Sequence, residues 1–148
     1  MEIILVSDTH GNLDVLERIH QLHPNADSYL HLGDSERYPQ EIAPFVSVQG
    51  NCDLSDAYPP FRYFQNRYGR FYLEHGHRIR PMSYPYILSK KADFFIYGHT
   101  HCLRNECYEN IHILNPGSAV YPRDGNQGTY LRLYWDKEGN LTITPFFL

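Results

Sequence analysis

Much is missing from this chain of 148 residues. No apolar run approaches the ~20 residues that a membrane-crossing helix needs, and the opening Met1-Glu2-Ile3-Ile4 lacks the basic start of a signal peptide. Cysteine is scarce and odd in number. Cys52, Cys102 and Cys107 offer no disulfide framework, which makes a reducing cytoplasm the expected home. Lysine is equally scarce, and the formal net charge of −4 argues against phosphate-led nucleic-acid binding. No repeat, low-complexity tract or linker divides the sequence, so residues 1–148 are expected to form one domain. The length excludes a (β/α)₈ barrel, which takes ~250 residues. The proportions, 42 % hydrophobic and 20 % charged, are those of a folded globule rather than a disordered chain.

Histidine, by contrast, is plentiful: nine residues. Their setting follows from the hydrophobic pattern. Residues 2–7 form a short apolar run of the kind buried on both faces of a sheet. Apolar residues at 13, 16, 19 and 22 predict a helix capped by Asn12 and stopped at His23-Pro24-Asn25. Strands are expected over 28–32 and 45–49, with a short helix over 35–43 between them. This β-α-β-α-β rhythm implies parallel strands. The second half reads as a hairpin over 61–74, a helical turn or two over 86–91, an apolar strand over 94–97, then strand pairs over 103–114 and 130–144. Mixed α/β followed by mostly β predicts two packed sheets with helices outside.

The polar residues gather where the strands end. Asp8-Thr9-His10, Gly33-Asp34, Gly50-Asn51-Cys52-Asp53, His75-Gly76-His77 and Gly98-His99-Thr100-His101 each follow an apolar run. Ligands bind beyond the carboxyl ends of parallel strands, and five such ends in one sheet are expected to converge. Asp8, His10, Asp34, Asn51, His75, His99 and His101 make a mixed nitrogen and oxygen set too large for one closed zinc site. Two divalent cations sharing a carboxylate fit the count. Manganese is the expected pair, with iron, zinc, nickel or cobalt also compatible with imidazole and carboxylate. Each motif alone has a bland explanation: Asp-x-His, Gly-Asp and Gly-Asn are turn signals, and His-x-His merely puts two residues on one strand face. Their joint order favours a metal site. The other histidines need no function: His20 and His23 suit a helix end, His31 a core or supporting position, and His112 a strand face. Cys102 and Cys107 are expected as small core residues.

These ordered motifs, together with Asn115-Pro116-Gly117-Ser118, resemble the calcineurin-like metallophosphoesterase superfamily, and specifically its small prokaryotic phosphodiesterase branch. The resemblance spans nearly the whole chain. It implies an α/β (α+β) fold: a four-layer αββα sandwich of two mixed sheets with a dimetal site at the strand C-terminal ends. It also implies that Asp8, His10 and His101 hold one metal, Asn51, His75 and His99 the other, and that Asp34 bridges them. A metal-bridging hydroxide would attack phosphorus directly. Asn51 and His77 are candidate catalytic groups; Asn12, Cys52 and Asp53 are candidate supporting or substrate-proximal residues, with Asp53 or His31 expected to set imidazole tautomers. Cys52 stands where larger relatives carry a histidine that helps protonate the leaving oxygen, and Arg37 is the only basic residue close after Gly-Asp.

Other phosphatase chemistries fail on the letters. A cysteine phosphatase places arginine six positions after its nucleophile, and from Cys52 that position is Tyr58. The aspartyl-nucleophile pattern Asp-x-Asp meets His10 instead. A metallo-β-lactamase motif would continue with Asp-His, but Leu103-Arg104 follow. The expected function is metal-dependent hydrolysis of a small phosphate ester, most simply a diester, with no membrane partner. Self-association is left open. The alternative is a catalytically weak protein-binding scaffold of the same fold, as a eukaryotic retromer subunit resembles.

Overall fold

The computed structural model describes residues 1–148. Five strands form the first sheet: β1 (Glu2–Val6), β2 (Ser28–His31), β3 (Phe45–Ser47), β9 (Thr129–Trp135) and β10 (Leu141–Phe147), in the order β10-β9-β1-β2-β3. The second sheet holds β4 (Phe61–Asn66), β5 (Gly69–Glu74), β6 (Phe94–Ile96), β7 (Leu103–Tyr108) and β8 (Ile111–Pro116), ordered β4-β5-β6-β8-β7. Both are mixed. β1, β2 and β3 run parallel, as do β5, β6 and β8, and antiparallel strands finish the sheets.

Alternation along the strands builds the layers. Ile3 and Leu5 of β1 face Phe71, Leu73, Phe94 and Ile96 of the other sheet, in a core between the sheets that includes Trp135. Ile4 and Val6 point the other way, onto helix α1 (Leu13–Leu22) and helix α2 (Pro39–Ile42) through Leu16, Ile19 and Ile42. On the far side, Tyr72 and Phe95 pack against Ile87 of helix α3 (Tyr84–Ser89). Helix, sheet, sheet, helix is the expected sandwich. Asn12 caps α1, accepting the Val15 N–H at 3.0 Å.

Several local expectations need correction. The parallel strand ends belong to two sheets, three in one and two in the other, because β5 pairs with β6 and neither pairs with β1–β3. Helix α2 starts only at Pro39, since proline is tolerated in the first turn and not within a helix. Cys107 is exposed and Cys102 half-buried, so neither is a core residue. His23 is no plain surface residue; its ring bonds Glu2 Oε1 at 3.0 Å and the Tyr130 hydroxyl at 2.9 Å, tying the end of α1 to the sheet. No helix is long and apolar enough to cross a membrane.

Candidate metal centre

The loops after β1, β2, β3, β5 and β6 bring polar side chains from both sheets together. The β1–β2 ladder continues beyond the strands: the N–H groups of Asp8 and His10 donate to the Gly33 and Asp34 carbonyls at 3.1 and 3.0 Å. The sheets are joined at the same place. The His99 N–H donates to Asp8 Oδ2 at 3.1 Å, His75 Nδ1 lies 2.7 Å from the Leu32 carbonyl, and Ser118 Oγ donates to the Asp8 carbonyl at 2.8 Å. Five of the seven expected ligands, Asp8, His10, Asp34, His99 and His101, have positive φ, between 45° and 69°. That conformation costs an L-residue roughly 1–2 kcal/mol, less where a short polar side chain bonds locally. Of the ten non-glycine residues with positive φ, these five lie together at the strand ends, a concentration of backbone strain that marks a built site. At Gly50 any Cβ would collide with the Asp34 carboxylate, and at Gly33 with the His75 ring.

The hydrogen bonds decide what the centre can bind. His75 Nδ1 faces the Leu32 carbonyl and His101 Nδ1 the Tyr121 carbonyl, both at 2.7 Å, while His10 Nδ1 faces Glu36 Oε1 at 2.8 Å. Those oxygens only accept, so each Nδ1 carries the proton and each neutral ring turns an Nε2 lone pair inward. The inward lone pairs meet other acceptors. His101 Nε2 lies 3.2 Å from Asp8 Oδ1 and 3.3 Å from His10 Nε2. His75 Nε2 lies 3.2 Å from Asp34 Oδ2 and 3.1 Å from Asn51 Oδ1. Asp8 Oδ1 is buried without a hydrogen-bond partner. Acceptors aimed at acceptors repel unless positive charge lies among them. Divalent cations fit this donor set, with Asp8-His10-His101 and Asp8-Asp34-His75 as two compact groups sharing Asp8.

Protons compete for the same lone pairs. Burial opposes charge on His75, but Asp34 and Asp8 outweigh it and raise its pKa; Asp8 does the same for His101 against burial. Burial likewise opposes ionisation of Asp34, and His75 and the Cys52 N–H overcome it, holding the carboxyl at about 2. Asp8 is lowered by His101, His75 and Ser7 against its burial.

The remaining candidates separate clearly. His99 lies with its ring 5.1 Å from that of His75, and its Nε2 is 3.3 Å from an Arg80 guanidinium nitrogen. His77 is half-buried, 5.5 Å from His75 and 6.3 Å from His99 between ring centres, with Nδ1 buried and unbonded. Cys52 is exposed; partial burial and the charges of Asp34, Glu36 and Asp53 push its thiol up to about 11. Asp53 and His31 bond no ligand imidazole, contrary to expectation. Asp53 instead clamps the loops, accepting N–H groups of Asp34 at 2.9, Gly50 at 2.7 and Glu36 at 2.8 Å. His31 is fully buried between Thr9 Oγ1 at 2.9 Å and the Gly33 N–H at 3.1 Å. Imidazole orientation falls to two carbonyls and to Glu36, which sequence reasoning missed; its place two residues after Asp34 was the available signal. The Asn12 oxygen serves the helix cap. The Arg37 guanidinium is spent on the Gly11 carbonyl, at 2.8 and 3.1 Å, and pairs with Glu41 at 3.7 Å.

A two-sheet sandwich with a carboxylate–imidazole centre at its strand ends defines a metallohydrolase class. The sequence profile of the calcineurin-like phosphoesterase superfamily domain matches residues 1–138, and the chain belongs to that family. Among curated relatives, phosphodiesterase YfcE of Escherichia coli K12 is 28 % identical, the alignment covering 88 % of this chain and 85 % of YfcE. A structure from Streptococcus pneumoniae TIGR4, described as a predicted phosphoesterase, superimposes with TM-score 0.81 at 24 % identity over 98 % of this chain and 96 % of that one. Vps29 of Chaetomium thermophilum shares the fold, with TM-score 0.75 at 16 % identity over 99 % of this chain and 96 % of its own.

Proposed function

We propose that the protein is a phosphodiesterase that uses two divalent cations, manganese foremost, to hydrolyse a small phosphate ester. The observation that carries this reading is the ring of inward-facing acceptors around the unbonded Asp8 Oδ1. In it Asp8, His10 and His101 would hold one cation and Asn51, His75 and His99 the other, with Asp34 as the carboxylate they would share. Such a pair supplies a water of lowered pKa and neutralises charge on the phosphate oxygens.

The chain's own residues position and protonate. Glu36 and the Leu32 and Tyr121 carbonyls keep Nδ1 protonated on His10, His75 and His101. The Cys52 N–H, donating to Asp34 Oδ1 at 2.8 Å, fixes the proposed bridging carboxylate. Cys52 itself holds its proton too tightly to serve as an efficient acid. His77 is the remaining candidate donor to a leaving oxygen; its Nδ1 is unbonded, and burial with the neighbouring His75 lowers its pKa, so it gives up a proton readily but holds one weakly. A weak acid suits esters with good leaving groups, and the name of the YfcE relative supports a diester preference. The three free cysteines support a cytoplasmic home, and the layered packing supports one domain. The test is hydrolysis of bis(p-nitrophenyl) phosphate and of p-nitrophenyl phosphate by manganese-loaded protein. Faster diester turnover, abolished by chelation, supports the reading. Faster monoester turnover would overturn the preference, and no turnover with any divalent metal would overturn the enzyme and favour the scaffold.

A further inference from the structure

Beside the metal centre, on the His99 side, lies a cavity of about 270 Å³. Of the seven proposed ligands only His99 lines it, so whatever it takes sits next to the centre rather than in it. Two arginines border it: Arg80, from the segment between β5 and α3, and Arg123, from the segment between β8 and β9. No carboxylate lines it. Neither arginine is in an ion pair, as ion pairs take up only Arg37, Arg104 and Arg132. The Arg80 guanidinium and the Arg123 main chain are each tied to the centre. An Arg80 guanidinium nitrogen lies 3.3 Å from His99 Nε2, and the Arg123 backbone N–H donates to the His101 carbonyl at 2.8 Å.

In a chain with a net charge of −4, two unpaired guanidiniums beside a centre built on Asp8 and Asp34 are a local inversion of charge. Guanidinium matches phosphate as a fork, through two parallel N–H bonds. The cavity is smaller than the ~300–1,000 Å³ of pockets that enclose a drug-sized ligand. It therefore suits a compact end group, not a whole nucleotide.

We propose that Arg80 and Arg123 bind a second phosphate of the substrate, so that the preferred substrate is a phosphodiester carrying a further phosphate on one arm. This rests on the phosphodiesterase reading above and names its substrate class. The second phosphate is not consumed; it is held beside His99 while the diester lies at the metals.

The probe is a matched pair: thymidine 5′-(p-nitrophenyl phosphate) with and without a 3′-phosphate, given to manganese-loaded protein. The 3′-phosphorylated ester should show a KM lower by about tenfold, the scale of charge-assisted hydrogen bonds. Arg123→Gln should erase that preference while leaving the unphosphorylated ester within about threefold of wild type and the metal content unchanged. Arg80→Gln should erase it too. Equal KM for the two esters in wild type overturns the proposal. So does an Arg123→Gln variant that loses both esters equally, because the arginine would then serve the reacting phosphate. If neither ester turns over, the phosphodiesterase reading fails by itself, and calorimetry decides the subsite. Tighter binding of thymidine 3′,5′-bisphosphate than of the 5′-monophosphate, lost in Arg123→Gln, upholds it; equal binding overturns it.

Discussion

The two sheets bring different chemistry to one centre. The first sheet supplies Asp8, Asp34, Asn51 and a single imidazole, His10; the second supplies only imidazoles, His75, His99 and His101. Their supports differ as well. His10 leans on a side chain, Glu36, at 2.8 Å, whereas His75 and His101 lean on backbone carbonyls at 2.7 Å. The first half can thus be weakened by one substitution that removes no ligand. The second half is secured by the path of the main chain. Neither half has both the charge and the nitrogen donors for two cations, so the centre exists only where the sheets pack.

The largest effect should come from removing the proposed bridge. Asp34→Ala should reduce hydrolysis of an activated phosphodiester to background and release at least one metal, a loss beyond the roughly 10–100-fold typical of supporting residues. Retained activity with full metal content would break the bridging role. Glu36→Gln should lower metal affinity within that 10–100-fold range, read by competition with a chelating dye. An unchanged affinity would mean that the two halves are supported alike.

Next comes a stability effect rooted under the first sheet's loops. Burial, only partly offset by Asp53 and Asp8, holds His31 at about 4, against 6.5 when unfolded. The unfolded chain therefore binds more protons between those values. Stability is complete above pH 6.5 and is lost as pH falls toward 4, by about 3 kcal/mol. Urea denaturation at pH 7.5 and 4.5 should show a larger drop in wild type than in His31→Gln; equal drops would remove His31 from the account. The smallest effect belongs to Cys52→Ser, which should keep activity within about threefold. Its thiol is held neutral and its contribution to Asp34 is a backbone N–H. A collapse to background would make the thiol chemically important.

Sequence and site were unequally legible for physical reasons. Apolar runs ending in Asp8, Asp34, Asn51, His75 and His99 marked the strands and their C-terminal loops, because burial on both faces leaves a local signature. Which strands share a sheet is a long-range fact, and the five ends were wrongly put into one. Left-handed backbone at Asp8, His10, Asp34, His99 and His101 is imposed by packing and was anticipated only as flanking glycine. Glu36 and Arg123 act through long-range contacts: Glu36, marked only by its place after Asp34, meets His10 across 26 residues, and Arg123 meets the centre through a carbonyl. Asp53 was legible as a member of the Gly-Asn-x-Asp motif, but its work on three backbone N–H groups was not.

The central claim is that the acceptors of both sheets close around two catalytic cations. Its most direct test is a titration of metal-free protein with manganese, following bound metal per chain and hydrolysis of bis(p-nitrophenyl) phosphate together. Protons should be released on binding, because His75 and His101 are raised in the metal-free state. Activity should reach its plateau at two bound ions per chain and disappear on chelation. Full loading at two ions without turnover, or turnover that survives complete metal removal, would contradict the account.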